Sequence, residues 1–242
     1  MEIMIYFSDM GNRLDFSTNP VSFEISQKCG LLIIDEVNGF CKVGAGNLAP
    51  IKANLQVEKM IKETADLAKI FDDKSMPIAL FLDNHEDDRP EHPFPPHCVK
   101  GTGEEKIISE LEWLIDSNAL KINKDCINGF IGSIDPINNE NVFINWIKKH
   151  QIKTLIVTGI CTDICVLDFV LTCMSAINHQ IIKPLNEVVV YSEACSTYHM
   201  DANDVQRLKL DESMIHDQET YHNIGLKIMQ MRGAIIADEI KS

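Results

Sequence analysis

The chain is predicted to fold as an α/β three-layer sandwich, a mostly parallel sheet with helices on both faces. Three observations predict it. Continuous apolar runs at residues 30–35, ending in an acid, at 78–82 and at 155–157 lack the alternation of a half-exposed strand and suit strands buried on both faces. Segments with helical spacing of apolar residues fall between them. The two patterns alternate from residue 30 to residue 237, as βαβ units require.

Taken in order, residues 1–29 are mixed and polar, and are expected to form an N-terminal extension packed on the surface. Residues 30–35, GLLIID, form a central strand ending in Asp35. The carboxyl ends of such strands are where open α/β sheets place ligands, although an acid there also serves often as a helix cap. Residues 38–49 carry Gly39, Gly44, Gly46 and Asn47 in a glycine-rich loop with no G-x-G-x-x-G or Walker pattern, so no phosphate cradle is read there. Pro50 is predicted to open a helix to about residue 71, with Ile51, Leu55, Ile61, Ala65 and Ala68 near one face.

The second strand, residues 78–82, is followed by Asp83. Residues 83–99, DNHEDDRPEHPFPPHCV, show no periodicity and are stiffened by prolines at 90, 93, 95 and 96. A loop of that length in a compact domain is usually functional or disordered. Asp83, His85 and His97 are of metal-ligand type, and the same composition also suits a solvated polar loop. A helix is predicted over 104–116 and a short strand over 120–123, ending at Lys124. Residues 128–139 are turn-rich, and a helix at 141–149 leads into the strand at 153–158. After Gly159, Ile164, Leu167, Val170 and Leu171 form a helical stripe to about residue 179, with Thr162 and Asp163 as cap types. A fifth strand at 187–191, a helix at 213–231 and a last edge strand at 234–237 complete one domain over residues 1–242.

Composition narrows the function. A net charge of −14 argues against nucleic acid or an anionic membrane surface as partner. No apolar run approaches the ~18 residues of a membrane span, and the N-terminus shows no signal-peptide core. Eight scattered cysteines suggest reduced thiols and a cytoplasmic address.

Asp35, Lys124 and Cys165 each follow an apolar strand, and in a parallel sheet those ends share one edge. Cysteine is a common core residue, so the placement of Cys165 alone says little. With an acid and a lysine beside it, Cys165 is a candidate nucleophile whose pKa the helix start lowers. Lys124 would stabilise the thiolate, and Asp35 would move its proton to a leaving amine.

These residues, set in LIIDEVNGF (32–40), PPHCVKGT (95–102) and GICTDICV (159–166), resemble the isochorismatase-like cysteine hydrolases and, within them, the plant-type nicotinamidases. The resemblance spans roughly residues 30–200. It implies an isochorismatase-like, Rossmann-like fold, a triad of Asp35, Lys124 and Cys165, and a metal held by Asp83, His85 and His97. It implies one divalent ion, zinc first, with iron or manganese as alternatives, and a further ligand from Glu86, Glu91, His92 or water. It also implies a cis peptide bond before Cys161, so that the Cys161 and Cys165 N–H groups face an oxyanion, and Phe40 and Phe94 around the substrate ring. Phe94 stands where many nicotinamidases have Trp, and Glu36-Val37 depart from the family's commoner residues. The implied substrate is a small molecule, nicotinamide, hydrolysed to nicotinate and ammonia in NAD salvage, by a chain expected to be a homo-oligomer. The alternatives are a relative acting on a carbamoyl or ureido substrate, which generally lacks the metal set, and an inactive binding protein on this fold.

Overall fold

The computed structural model describes residues 16–89 and 91–242. Pro90 and residues 1–15 of the predicted extension lie outside the described residues. Seven parallel strands form one sheet in the order β1-β7-β6-β5-β2-β3-β4. They are β1 (Val21–Glu24), β2 (Cys29–Ile34), β3 (Ile78–Asp83), β4 (Leu120–Lys124), β5 (Thr154–Ile160), β6 (Glu187–Ser196) and β7 (Ile235–Lys241). Every residue of β2, β3 and β5 is buried, which is why their sequences are continuous apolar runs.

The helices are α1 (Asn38–Cys41), α2 (Leu55–Asp73), α3 (Gly129–Gly132), α4 (Val142–His150), α5 (Leu167–Asn178), α6 (Ala202–Leu208) and α7 (Gln218–Met231). Two apolar cores lie on the two faces of the sheet. One contains Met60, Ala68 and Phe71 of α2 with Leu31, Ile33 and Leu80. The other contains Phe143 and Ile147 of α4 and Phe169 and Val170 of α5 with Leu32, Ile34 and Phe81. Alternate residues of β2 and β3 thus serve opposite layers. This is the predicted fold class.

Several predicted boundaries are corrected. Residues 21–24 are not part of a surface extension: they form β1, paired parallel with β7, so β7 is an inner strand and β1 the edge. The helix predicted from Pro50 begins at Leu55, because the Asn54 side chain accepts from the Gln56 and Val57 N–H groups and closes the first turn there. The helix predicted over 104–116 is a 3₁₀ segment at Ser109–Leu114. Within the predicted helix at 213–231, Asp217 caps α7, and residues Glu212–Met214 form a separate 3₁₀ turn. No helix among the described residues is long and apolar enough to cross a membrane.

Candidate active site

The site lies at the carboxyl edge of the sheet, where β5, β2, β3 and β4 end side by side. Asp35 follows β2 with φ 56°, a left-handed conformation that Asp tolerates better than most residues. Its N–H still donates to the Phe81 carbonyl at 2.9 Å, so the ladder carries it to the sheet's end. Asp83 and Lys124 are register partners at the last positions of β3 and β4. Lys124, 1% exposed, donates to Asp83 Oδ1 at 2.7 Å and lies 2.9 Å from Asp35 Oδ2 and 3.9 Å from Cys165 Sγ. One buried ammonium therefore joins the three groups that the sequence placed on separate strands. Neither oxygen of Asp35 has a well-aligned hydrogen bond among the described residues, which leaves the carboxylate free to handle a proton.

Beyond β5 the path is set by sterics. Gly159 has φ +122°, and a Cβ there would stand 2.0 Å from the Ile34 carbonyl oxygen, so only glycine lets β5 pass β2 at this point. The Ile160–Cys161 peptide bond is cis. The turn that follows, Thr162–Val166, is wide: the Val166 N–H reaches back to the Cys161 carbonyl, a π-helical i→i−5 bond at 3.1 Å. α5 begins only after it. Neither Thr162 nor Asp163 caps a helix as the sequence suggests; Asp163 bonds instead to His216 and Thr197.

The loop after β3 has no regular element but is tied at both limbs. His85 forms a parallel bridge with Val99, accepting from the Lys100 N–H and donating to the Cys98 carbonyl. This returns His97 beside His85, with ring centroids 4.7 Å apart. Asp83 Oδ2 lies 2.9 Å from His85 Nε2 and 3.3 Å from His97 Nε2. Donors on a tetrahedral ion with bonds of ~2.0–2.1 Å stand about 3.3 Å apart. Those two separations are near that value, and one ligand atom from each of Asp83, His85 and His97 lies within 4.8 Å of the others, so the three buried residues could hold a divalent ion. His97 Nδ1–H donates to the Pro95 carbonyl at 2.8 Å, which turns Nε2 toward the site, as metal-bound histidines are usually oriented. Of the candidate fourth ligands, Glu91 Oε2 is 3.9 Å from His85 Nε2 and 3.7 Å from His97 Nε2, whereas Glu86 pairs with Lys100 at the surface.

A cavity opens onto these groups, touching Asp83, His97 and Cys165, with Phe40 and Phe94 in its wall. The rings of Phe40 and Phe94 stand 5.5 Å and 6.1 Å from that of His97.

Electrostatics follow from four acids and thiols sharing few cations. Burial raises Asp35 to about 7, with Lys124 opposing and Asp83 adding to the rise. Burial also works against ionisation of Asp83, but Lys124 and the two histidines outweigh it and hold Asp83 well below the usual carboxylate range. Burial disfavours protonation of His97, yet Asp83 and Glu91 raise it to about 10. The Cys165 thiol departs from expectation. Burial pushes it well above the ordinary thiol value, opposed by Lys124 and reinforced by Asp35 and Asp83. A helix start contributes only ~0.3–1 kcal/mol when exposed, too little against full burial beside two carboxylates.

The sequence pattern of the isochorismatase domain matches residues 29–234. The chain belongs to the isochorismatase family. It is 44% identical over 222 residues to nicotinamidase 1 of Arabidopsis thaliana, covering 91% of this chain and 90% of that protein. Among solved structures, the nicotinamidase PncA of Bacillus subtilis superposes with a TM-score of 0.62 at 21% identity, covering 87% of this chain and all of that one. A pyrazinamidase of Pyrococcus horikoshii, solved in complex with zinc, gives 0.59 at 19% identity over 87% of this chain and 98% of that one. At those identities the two structures speak for the fold alone. The cavity also includes Leu48, Ile127, Ile164 and Tyr198 in its wall, which sequence reasoning missed. Tyr198 was within reach: it stands just past β6, at the same sheet edge as the other site residues.

Proposed function

We propose that this chain is a nicotinamidase, hydrolysing nicotinamide to nicotinate and ammonia in NAD salvage through a Cys165 thioester. One observation carries the reading: Cys165, with Lys124 and Asp35 gathered beside it, opens onto the same aromatic-walled cavity as Asp83 and His97 of the Asp83-His85-His97 donor set. The likeness to the Arabidopsis enzyme supports it. Asp83, His85 and His97 would hold a divalent ion, with zinc the first choice for such a set. When bound, that ion supplies an open coordination position for the ring nitrogen of the substrate.

This chain's residues do the rest. The Cys165 thiol rests protonated, and Asp35, at about 7, takes its proton as sulfur attacks the carboxamide carbon. Lys124 carries the charge that forms on sulfur and keeps Asp35 in reach. The Cys161 and Cys165 N–H groups receive the developing oxyanion. The C–N bond breaks, and Asp35 returns the proton to the departing ammonia. A water molecule then gives a proton to Asp35 and attacks the thioester; nicotinate leaves and Cys165 is re-protonated. Phe40 and Phe94 flank the ring. Ammonia release from nicotinamide by purified chain is the expected result. Turnover of a ureido substrate with none of nicotinamide would overturn the reading, because a ureido group has no ring nitrogen for an ion on the donor set to bind.

A further inference from the structure

The chemistry above leaves unused a buried cluster behind the nucleophile turn. Asp163, midway between Cys161 and Cys165, places Oδ2 at 2.8 Å from His216 Nε2 and accepts from Thr197 Oγ1 at 2.6 Å. Burial would raise its pKa, but the bonds from His216 and Thr197 outweigh this and lower it. His216 Nδ1 faces the Tyr198 carbonyl at 2.9 Å. Both ring nitrogens of His216 thus meet acceptors. Its ring is stacked between two tyrosines, Tyr198 at 4.1 Å and 17° and Tyr221 at 4.2 Å and 15°. A second set of contacts comes from α7. His222 Nδ1 lies 2.8 Å from Thr162 Oγ1, and a Cβ at Gly225 would meet Asp163 Cα at 2.9 Å and the Thr162 carbonyl oxygen at 3.0 Å. The helix therefore rests directly on the backbone of the nucleophile turn.

We propose that Asp163 and His216 are positioning residues for the reaction, clamping the Cys161–Cys165 turn from outside beside the C-terminal helix that packs on it. This inference rests on the proposed amidase reading only for its kinetic arm. The turn is a π-helical bend, without the regular i→i−4 ladder that holds an α-helical first turn. Its shape is therefore supplied from outside, by one carboxylate with two donors and by a glycine-lined contact. Loosening the clamp displaces the donors aimed at the oxyanion more than it disturbs substrate binding, because Phe40, Phe94 and the donor set lie on other segments. A loss confined to the transition state appears in kcat and not in KM.

The test compares His216→Ala, His216→Gln and Thr197→Val with the native, metal-loaded enzyme. His216→Gln keeps a donor for Asp163. His216→Ala is expected to lower kcat by about 10–100-fold, the range seen when a group supporting first-contact residues is lost, with KM within about threefold and metal content unchanged. His216→Gln should recover much of kcat, and Thr197→Val should show a smaller loss of the same kind. Hydrogen exchange of the peptide covering residues 160–167 should speed up at least about tenfold in His216→Ala. That arm needs no substrate, so it stands even if the native enzyme proves inactive on nicotinamide. Native-like exchange in a folded His216→Ala overturns the clamp, as does a rise in KM at unchanged kcat. If His216→Ala fails to fold, unchanged exchange and kcat in Thr197→Val overturn it equally.

Discussion

After β3 the chain runs into a long proline-bearing loop, and its functional side chains are held by one another. Asp83 spans Lys124 on one oxygen and two histidines on the other, and His97 is oriented by a carbonyl two residues away. After β5 the chain reaches its functional residue within six positions, and backbone approach fixes it. Gly159 passes the Ile34 carbonyl where no side chain fits, and Gly225 of α7 presses on the turn at Thr162 and Asp163. The loop's geometry is a balance of charges, so substitutions there should change affinities and protonation while the chain keeps its path. The turn's geometry is a matter of volume, so substitutions there should change the path itself.

The largest effect tests the turn's chemistry. Cys165→Ala should lose more than about 10⁴-fold in ammonia release, the scale of removing a covalent nucleophile, while its circular dichroism and metal content stay native. Activity above a few per cent would end the thioester mechanism. Asp35→Asn should cost about 10²–10⁴-fold in kcat. In the native enzyme kcat/KM should rise with pH through about 7, because Asp35 accepts a proton only once ionised and its pKa is raised to that value. The acidic limb should vanish from the residual activity of the variant; a limb that persists assigns it to another group.

The comparison itself is sharpened by Gly159→Ala and His97→Ala. The alanine at 159 meets backbone at 2.0 Å with φ +122°, so urea unfolding should show a loss of more than about 4 kcal/mol, beyond the ordinary range for one substitution. His97→Ala should keep most of its stability but lose bound metal by elemental analysis, with KM raised and Cys165 still open to alkylation. If His97→Ala unfolded the chain and Gly159→Ala did not, the contrast between the two strand ends would be reversed. The smallest effects separate the candidate fourth ligands. Glu91→Gln should weaken metal binding by about 10-fold or more, whereas Glu86→Gln, in an exposed pair with Lys100, should change nothing beyond ~0.5 kcal/mol.

How far the sequence could be read depended on the kind of force involved. Burial on both faces demands apolar runs, so β2, β3 and β5 were legible to within a residue or two, and Asp35, Asp83 and Lys124 with them. Asn54 as a helix start was missed because Pro50 offered a competing local signal, and local signals do not rank themselves. β1 was missed for a different reason. Three of its four residues are exposed, and their partner β7 lies more than 200 positions away, so nothing local marks them as a strand.

By itself the sequence determined the fold class and which residue types stand at the carboxyl edge of the sheet. Periodicity and strand ends are properties of neighbouring residues, and water reads them the same way in any fold. Only the tertiary structure decided what those groups become. Packing buried Cys165 beside Asp35 and Asp83, and so raised, against the pull of the Lys124 ammonium they share, a thiol that a helix start alone would have lowered. It sent the Asp163 carboxylate to His216, 53 positions on, where the sequence suggested a cap. Both outcomes are set by distance and desolvation, quantities that exist only once the chain has closed on itself.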